Sequence, residues 1–118
     1  MNEVLENLQN KLGYRFHDRA TLLQSLTHTS YGHEHFPKKP VASRDNERLE
    51  FLGDAILDGI ISDILLEAFP DANEGQLSKL RAASVNEKTL AEVAKKIDLQ
   101  HCIRLGKGEI QTDRKSVV

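Results

Sequence analysis

The stretch NERLEFLGDAILDGIISDILLEAF, residues 46–69, decides the fold of this chain. It contains no proline, and Pro70 with Asp71 stops it, so it predicts a helix from about Asn46 to Phe69. Its second half is apolar around most of the circumference, which is typical of a helix enclosed by protein. We therefore expect this helix to form the axis of the hydrophobic core.

The remaining segments are also helical in pattern. Apolar residues recur at helical spacing, the chain has only 7 glycines and 3 prolines, and no segment alternates as strands do. Gly13 is placed to end the first helix, and Asp18 and Asn86 are placed to cap later ones. A further helix is expected over 74–84, whereas residues 31–44 are expected to form a flexible surface loop. The sequence therefore predicts an all-α domain.

Length and composition fit one small domain. The chain has 118 residues, and 16 Lys and Arg against 18 Asp and Glu give a net charge of −2, so any binding of nucleic acid must be local. The single cysteine, Cys102, excludes an intrachain disulfide and is expected to be a small core residue. No apolar run approaches the roughly 20 residues of a membrane span, and the first residues lack a signal-peptide pattern. We therefore expect a cytoplasmic protein with no membrane partner.

Four carboxylates share one face of the predicted helix: Glu47, Glu50, Asp54 and Asp58. Their spacings of three, four and four residues confine them to a narrow arc, because each helical residue advances by about 100°. Like charges at this spacing destabilise a helix by a few tenths of a kcal/mol per pair, so nearby cations should compensate. One interpretation is a solvated acidic face that Arg44 and Arg48 partly neutralise. The other is a site for a divalent cation such as Mg²⁺, which binds carboxylate oxygens.

The string NERLEFLGDA, residues 46–55, resembles the signature of the ribonuclease III family. Further segments agree with that family in order and spacing and cover nearly the whole chain: LL at 22–23, LTHTSY at 26–31, EGQLSKLRA at 74–82, VN at 85–86 and LGKGE at 105–109. The resemblance implies an all-α, bundle-like endonuclease domain of the bacterial type.

The resemblance also implies an activity and its partners. Members of the family form homodimers and hydrolyse phosphodiester bonds of double-stranded RNA, leaving 5′-phosphate and 3′-hydroxyl ends. They use Mg²⁺, with Mn²⁺ as a substitute, and no small-molecule cofactor. Processing of rRNA and mRNA precursors is what the family implies. A metal is also expected on physical grounds, because a bare acidic stripe would repel RNA phosphates.

The site residues implied by the resemblance centre on the signature. Glu50 and Asp54 match the family's metal ligands and catalytic carboxylates, and Glu47 and Glu74 match two further acidic positions of its active site. Phe51 matches the aromatic residue that inserts into the other subunit. A phenylalanine exposed among carboxylates would be unusual on a monomer, which favours that role at a dimer interface. Candidate RNA contacts are the basic residues Lys38, Lys39, Lys107, Arg114 and Lys115.

The resemblance is incomplete after the glycine motif. The family carries there a further Asp and, three positions on, a Glu that complete the metal site. Asp113 lies in the right region, but Ser116 stands three residues later, so Asp113 is not assigned that role. We expect residues 1–118 to be a catalytic domain that is incomplete at its C-terminus, lacks a double-stranded-RNA-binding module, and is weakly active or inactive alone. The alternative is a non-catalytic RNA-binding or dimerisation module that retains the nuclease fold.

The sequence leaves two possible roles open for each of three other groups of side chains. His28 lies in LTHTSY, where packing or hydrogen bonding is the default role and catalysis is the alternative. His33 and His35 could pair as metal ligands, but their segment offers no further partner, so a surface location is expected. Lys79 and Arg81 either contact phosphate or neutralise the acidic site.

Overall fold

The computed structural model describes residues 1–113, with side chains as far as Ile110. Helices make up this part of the chain: α1 (Asn2–Leu12), α2 (Arg19–Ser25), α3 (Thr29–His35), α4 (Val41–Arg44), α5 (Glu47–Ala68), α6 (Glu74–Ser84), α7 (Glu87–Lys96), a 3₁₀ turn (Leu99–His101) and α8 (Lys107–Asp113). Among residues 1–113 no strand forms, and one isolated bridge pairs Thr27 with Arg104. None of the described helices has the length and apolarity to cross a membrane. The predicted all-α class is confirmed.

The helix boundaries follow the capping signals of the sequence. Gly13 ends α1 in the left-handed conformation (φ 67°), which glycine adopts without strain. Asp18 and Asn86 cap α2 and α7, because their side chains accept hydrogen bonds from backbone N–H groups in the first helical turn. The long helix spans Glu47–Ala68, one residue shorter at each end than predicted.

The hydrophobic core lies between α1, α2 and the segment that follows the 3₁₀ turn. Its buried side chains are Leu5, Leu8, Leu22, Leu26 and Cys102, with Val4, Leu23, Ile97, Leu99 and Ile103 packed around them. The expected core position of Cys102 is confirmed. Burial raises the pKa of its thiol, so Cys102 stays protonated and serves as a small apolar residue.

Among the described residues, helix α5 does not form the axis of this core, contrary to expectation. Leu65 is its one buried residue, whereas Phe51 is 84% exposed. Five further apolar side chains of α5 are more than half exposed: Leu52, Ile56, Ile60, Ile64 and Leu66. The reason is that α6 packs along one side of α5 and α4 meets only its start, so these neighbours cover part of its circumference. The apolar pattern showed what α5 can bury, but burial depends on what packs against it.

Residues 31–44 do not form a single loop, contrary to expectation. Helix α3 continues to His35, and α4 starts directly after Pro40. The ring of Tyr31 stacks on that of His35 with a centroid distance of 3.9 Å, because residues four apart share a helix face. Each helix is at most 7 residues long, which is too short to produce a recognisable periodicity in the sequence.

A set of hydrogen bonds around Thr27, here called the Thr27–Arg104 junction, ties distant segments together. The Thr27 hydroxyl is fully buried and accepts hydrogen bonds from Nε and Nη2 of Arg104, at 3.0 and 2.7 Å. The backbone carbonyl of Thr27 accepts from the N–H of Asn46 at 2.9 Å. Since Asn46 immediately precedes α5, the junction fixes where the acidic helix begins.

Candidate active site

The start of α5 is held by a buried carboxylate and by α2. Asp45 Oδ1 accepts a hydrogen bond from the backbone N–H of Glu47 at 3.0 Å, and Oδ2 accepts one from Arg44 Nε at 3.0 Å. The Asn46 side chain donates to the carbonyl of Ser25, the last residue of α2, at 3.1 Å. The first turn of α5 therefore cannot shift without breaking contacts to two other parts of the chain.

Asp45 is a charged residue that is inaccessible to solvent, and its environment favours the ionised form. Burial alone would raise its pKa, but the Glu47 amide and the Arg44 guanidinium outweigh that effect and lower the pKa below the ordinary value of 3.8. The sequence reasoning did not single out this residue. An aspartate directly before a helical run was the available signal, because Asp is a preferred residue at helix starts.

The lowered pKa of Asp45 predicts a pH dependence of stability. A carboxyl group with a depressed pKa in the folded state stabilises the fold above its unfolded pKa, and this contribution is lost as pH falls through the folded value. We expect the free energy of unfolding to fall as pH decreases below about 3.8. Denaturant unfolding of wild type and Asp45→Asn at several pH values measures this. Equal pH dependence in both proteins would contradict the prediction.

Glu50 and Asp54 line an open cleft between α5 and α7, here called the α5–α7 cleft. Its volume is about 670 Å³. Its polar lining residues are Ser25, His28, Asn46, Glu50 and Asp54, and its apolar ones are Leu49, Leu90, Val93, Ala94, Ile97, Leu99 and Ile103. The two carboxylates stand one helical turn apart on one wall, so they face the same space.

The donor set of the cleft fits a hard cation better than a soft one. Neither Glu50 nor Asp54 has an ion-pair or hydrogen-bond partner for its carboxylate among the side chains that the structure describes, residues 1–110. In the described chain no three His, Cys, Asp or Glu side chains come close enough to hold a metal together. Mg²⁺ is commonly held by one or two carboxylates and keeps its other positions for water and phosphate. The pair therefore fits Mg²⁺, whereas a structural Zn²⁺ site would need four protein ligands.

The other acidic candidates lie outside this cleft. Glu47 is the exposed first residue of α5. Glu74 lines a separate crevice between α5 and α6, of about 230 Å³, together with Ser62 and Arg81. Ser62 is about 12 Å further along the helix axis than Asp54, since each residue rises by about 1.5 Å. Of the four acidic candidates, Glu50 and Asp54 line the α5–α7 cleft, Glu47 stands one helical turn before Glu50, and Glu74 lines the crevice between α5 and α6.

The basic candidates divide between described and undescribed residues. Lys38 and Lys39 are exposed between α3 and α4, and Lys39 Nζ lies 4.4 Å from the centre of the Phe36 ring. Lys107 is exposed at the start of α8, where its backbone N–H donates to Glu34 Oε2 at 2.9 Å. Arg114 and Lys115 lie outside the described residues, as does the side chain of Asp113.

The alternatives for the remaining side chains are partly resolved. Arg81 donates from Nη1 to the Ser62 hydroxyl at 2.8 Å, which joins α6 to α5 beside Glu74. His33 and His35 are exposed and belong to no cluster of metal-binding side chains among those described, residues 1–110. His28 caps α3 through its ring and lines the cleft, so it has both a local structural role and access to the candidate site.

Comparison with known proteins supports one family for this fold and site. A family model described as Ribonuclease-III-like matches residues 18–118. A protein named Ribonuclease 3 from Syntrophobacter fumaroxidans is 53% identical over 111 residues, which cover 94% of this chain and 45% of that protein. Ribonuclease 3 from Pseudomonas entomophila is 47% identical over 112 residues, covering 95% of this chain and 44% of that protein. The chain spans a little under half the length of these relatives.

Two solved structures, both of the nuclease domain of ribonuclease III from Campylobacter jejuni, share the fold. They are 43% identical to this chain, with TM-scores of 0.79 and 0.76, and cover 91% and 90% of it. The chain in turn covers 68% and 66% of them. One of the two is described as flexible in the region involved in dimer formation. By both sequence and fold, this chain belongs to the ribonuclease III family of endonucleases.

Proposed function

We propose that this protein hydrolyses phosphodiester bonds of double-stranded RNA and that the chain forms its catalytic domain. The observation that carries the proposal is the pair of exposed carboxylates, Glu50 and Asp54, which face the α5–α7 cleft without a cationic partner in the described residues. Carboxylates left unpaired at a cleft are suited to hold a cation against a polyanionic substrate. Membership of the ribonuclease III family supports the same reaction.

Glu50 and Asp54 are the residues that would hold Mg²⁺, or Mn²⁺ in its place. When bound, such a cation activates water and stabilises negative charge on the scissile phosphate. The side chains themselves orient the ion and keep its charge beside the RNA backbone. Water adds to phosphorus and the bond to the 3′ oxygen breaks, so the products carry 5′-phosphate and 3′-hydroxyl ends. No serine, cysteine or histidine nucleophile is required.

Further residues of the proposed site act around this pair. Glu47 and Glu74 are proposed as additional acidic residues of the reaction. The basic side chains proposed to contact RNA phosphates are Lys38, Lys39, Lys107, Arg114 and Lys115. The proposed substrates are duplex regions of rRNA and mRNA precursors in the cytoplasm.

The experiment that tests this function is cleavage of an end-labelled RNA duplex by the natural gene product in excess, because residues 1–118 alone are expected to cut weakly or not at all. We expect 5′-phosphate products with Mg²⁺ or Mn²⁺ and none with EDTA, and no cleavage of a DNA duplex of the same sequence. A second candidate function is a non-catalytic RNA-binding or dimerisation module that retains the nuclease fold. Binding of the duplex without cleavage under every metal condition would decide for that second function.

The protein is also proposed to act as a homodimer, with Phe51 at the interface. Phe51 is 84% exposed, although burial of a phenylalanine side chain contributes about 1.5–3 kcal/mol. A two-fold interface uses the same patch on both subunits, so each Phe51 would be buried against the other chain. Two catalytic clefts then share one duplex.

Replacing Phe51 by alanine is expected to weaken self-association. Loss of the buried ring reduces the free energy of association by about 1.5–3 kcal/mol for each of the two subunits. The two losses together correspond to at least a hundredfold rise in the dimer dissociation constant. Sedimentation equilibrium measures this constant. The matched control is Phe16→Ala, since Phe16 is 41% exposed but lies before α2, outside the signature. Equal association of wild type and Phe51→Ala would argue against the proposed interface.

A further inference from the structure

The ring of His28 is fixed at the edge of the α5–α7 cleft by the residue two positions later. The backbone N–H of Ser30 donates to Nδ1 at 3.2 Å, and the Ser30 hydroxyl lies 2.8 Å from the same nitrogen. That hydroxyl also accepts a hydrogen bond from the backbone N–H of Gly106 at 2.9 Å. The imidazole is therefore held between the start of α3 and the residue before α8.

These contacts determine which ring nitrogen carries the proton. A backbone N–H can only donate, so Nδ1 offers its lone pair to Ser30. With Nδ1 as an acceptor, the Ser30 hydroxyl can direct its own proton toward the same lone pair while its oxygen accepts from Gly106. A neutral imidazole that accepts at Nδ1 has its proton on Nε2. Nε2 of His28, on the opposite edge of the ring, is thus a hydrogen-bond donor.

This donor has no protein partner within the described chain. The hydrogen bonds of the His28 ring are all made at Nδ1. His28 lines the α5–α7 cleft with Glu50 and Asp54, yet among the described side chains no ion pair joins it to either carboxylate. The residues that line the cleft therefore include two carboxylates that accept hydrogen bonds and one imidazole with an N–H that has no partner in the described chain.

We propose that His28 contacts the substrate: its Nε2–H donates a hydrogen bond to a phosphate oxygen of the RNA backbone in the α5–α7 cleft. This inference rests on the proposed function and adds a residue to it. An anionic oxygen near Glu50 and Asp54 is repelled by both carboxylates, and a neutral donor offsets part of that repulsion. Because a neutral imidazole carries no charge, it offsets this repulsion without repelling a cation that the same carboxylates hold.

Two amide substitutions separate this role from capping of α3. In His28→Asn the amide oxygen can replace Nδ1 as the cap acceptor, since Asn is a preferred N-cap residue, but no donor reaches the position of Nε2. In His28→Gln the longer side chain can bring an amide N–H to the position of Nε2, while the cap acceptor is lost. If His28 has only a structural role, His28→Gln should weaken RNA binding more than His28→Asn does. If His28 contacts the substrate, His28→Asn should weaken RNA binding more.

The experiment measures affinity for a short labelled RNA duplex by fluorescence anisotropy, with Ca²⁺ in place of Mg²⁺ so that the duplex stays intact, and unfolding free energies are measured for every variant. We expect His28→Asn to keep wild-type stability and to bind about tenfold more weakly, as expected for loss of a hydrogen bond to a charged group. His28→Gln should lose stability but retain more of the affinity. The control is His17→Asn, because His17 is exposed and precedes α2. Wild-type affinity in His28→Asn would overturn the inference while leaving the proposed function intact.

A second measurement needs no substitution. The long-range ¹H–¹⁵N NMR spectrum of the imidazole reports its tautomer, and we expect the Nε2–H form with an Nε2 signal that shifts when the duplex is added. The Nδ1–H form, or an unchanged Nε2 signal in a protein that binds the duplex, would refute the role of His28. If the wild-type protein neither binds nor cuts the duplex, the proposed function itself fails.

Discussion

The Asp54→Asn variant is expected to lose metal-dependent cleavage of an RNA duplex by about a hundredfold to a thousandfold. A metal ion supplies several kcal/mol of transition-state stabilisation, and each 1.36 kcal/mol corresponds to about tenfold in rate. Glu50→Gln should have a similar effect, because both carboxylates line the α5–α7 cleft. Single-turnover cleavage rates at saturating protein measure the loss.

The matched control for this prediction is Asp58→Asn. Asp58 continues the acidic stripe by one turn but does not line the cleft with Glu50 and Asp54. Cleavage by Asp58→Asn should stay within a few-fold of wild type. A readout independent of activity is Mn²⁺ binding by electron paramagnetic resonance, in which Asp54→Asn should bind more weakly than Asp58→Asn. Unchanged Mn²⁺ affinity and cleavage in Asp54→Asn would show that this carboxylate is not a ligand.

The Gly32→Ala variant is expected to lose about 1–3 kcal/mol of unfolding free energy, the usual cost of forcing extra atoms into a packed site. An added Cβ at this buried glycine would lie 2.9 Å from both Arg44 Cγ and Asp45 Oδ2, and 3.1 Å from the Arg44 carbonyl oxygen. Asp45 cannot move aside easily, because it is fully buried and bonded to Arg44 and to the start of α5. Urea unfolding followed by circular dichroism measures the change.

Gly59→Ala provides the contrast to this steric prediction. Gly59 lies within α5, and no atom lies within 4 Å of its added Cβ. Alanine there should stabilise the helix by about 0.5–1 kcal/mol, because glycine loses more conformational freedom on folding. Equal changes in unfolding free energy for Gly32→Ala and Gly59→Ala would show that contacts with Asp45 and Arg44 do not destabilise the Gly32→Ala variant.

Most helices of this protein were predictable from local sequence. The bounds of α6 and the caps Gly13, Asp18 and Asn86 were predicted correctly, and those of α5 to within one residue at each end, since each depends on residues within one or two turns. The same local reasoning missed α3 and α4. These helices have 7 and 4 residues, too few for a recognisable periodicity, and Gly32 of α3 packs closely against Arg44 and Asp45, a contact that the local sequence does not reveal.

The candidate site was predictable only in part. A spacing of four residues on one helix is enough to align Glu50 with Asp54, so the sequence predicted this pair. The supporting residues come from far along the chain: Arg104 bonds to Thr27 across 77 positions, and Gly106 bonds to Ser30 across 76. Such pairings depend on how the elements pack, so the sequence offered no direct signal for the orientation of His28.

The sequence by itself determined the all-α class, the length of α5 and the alignment of its acidic face, because caps and helical spacing act over a few residues. Only the tertiary structure decided that α5 exposes most of its apolar side chains and that the core forms around α1 and α2 instead. It also decided that the cleft combines His28 with Glu50 and Asp54, whereas Glu74 faces another crevice. The physical reason is that burial and convergence of side chains depend on the packing partners of each helix, which are distant in sequence.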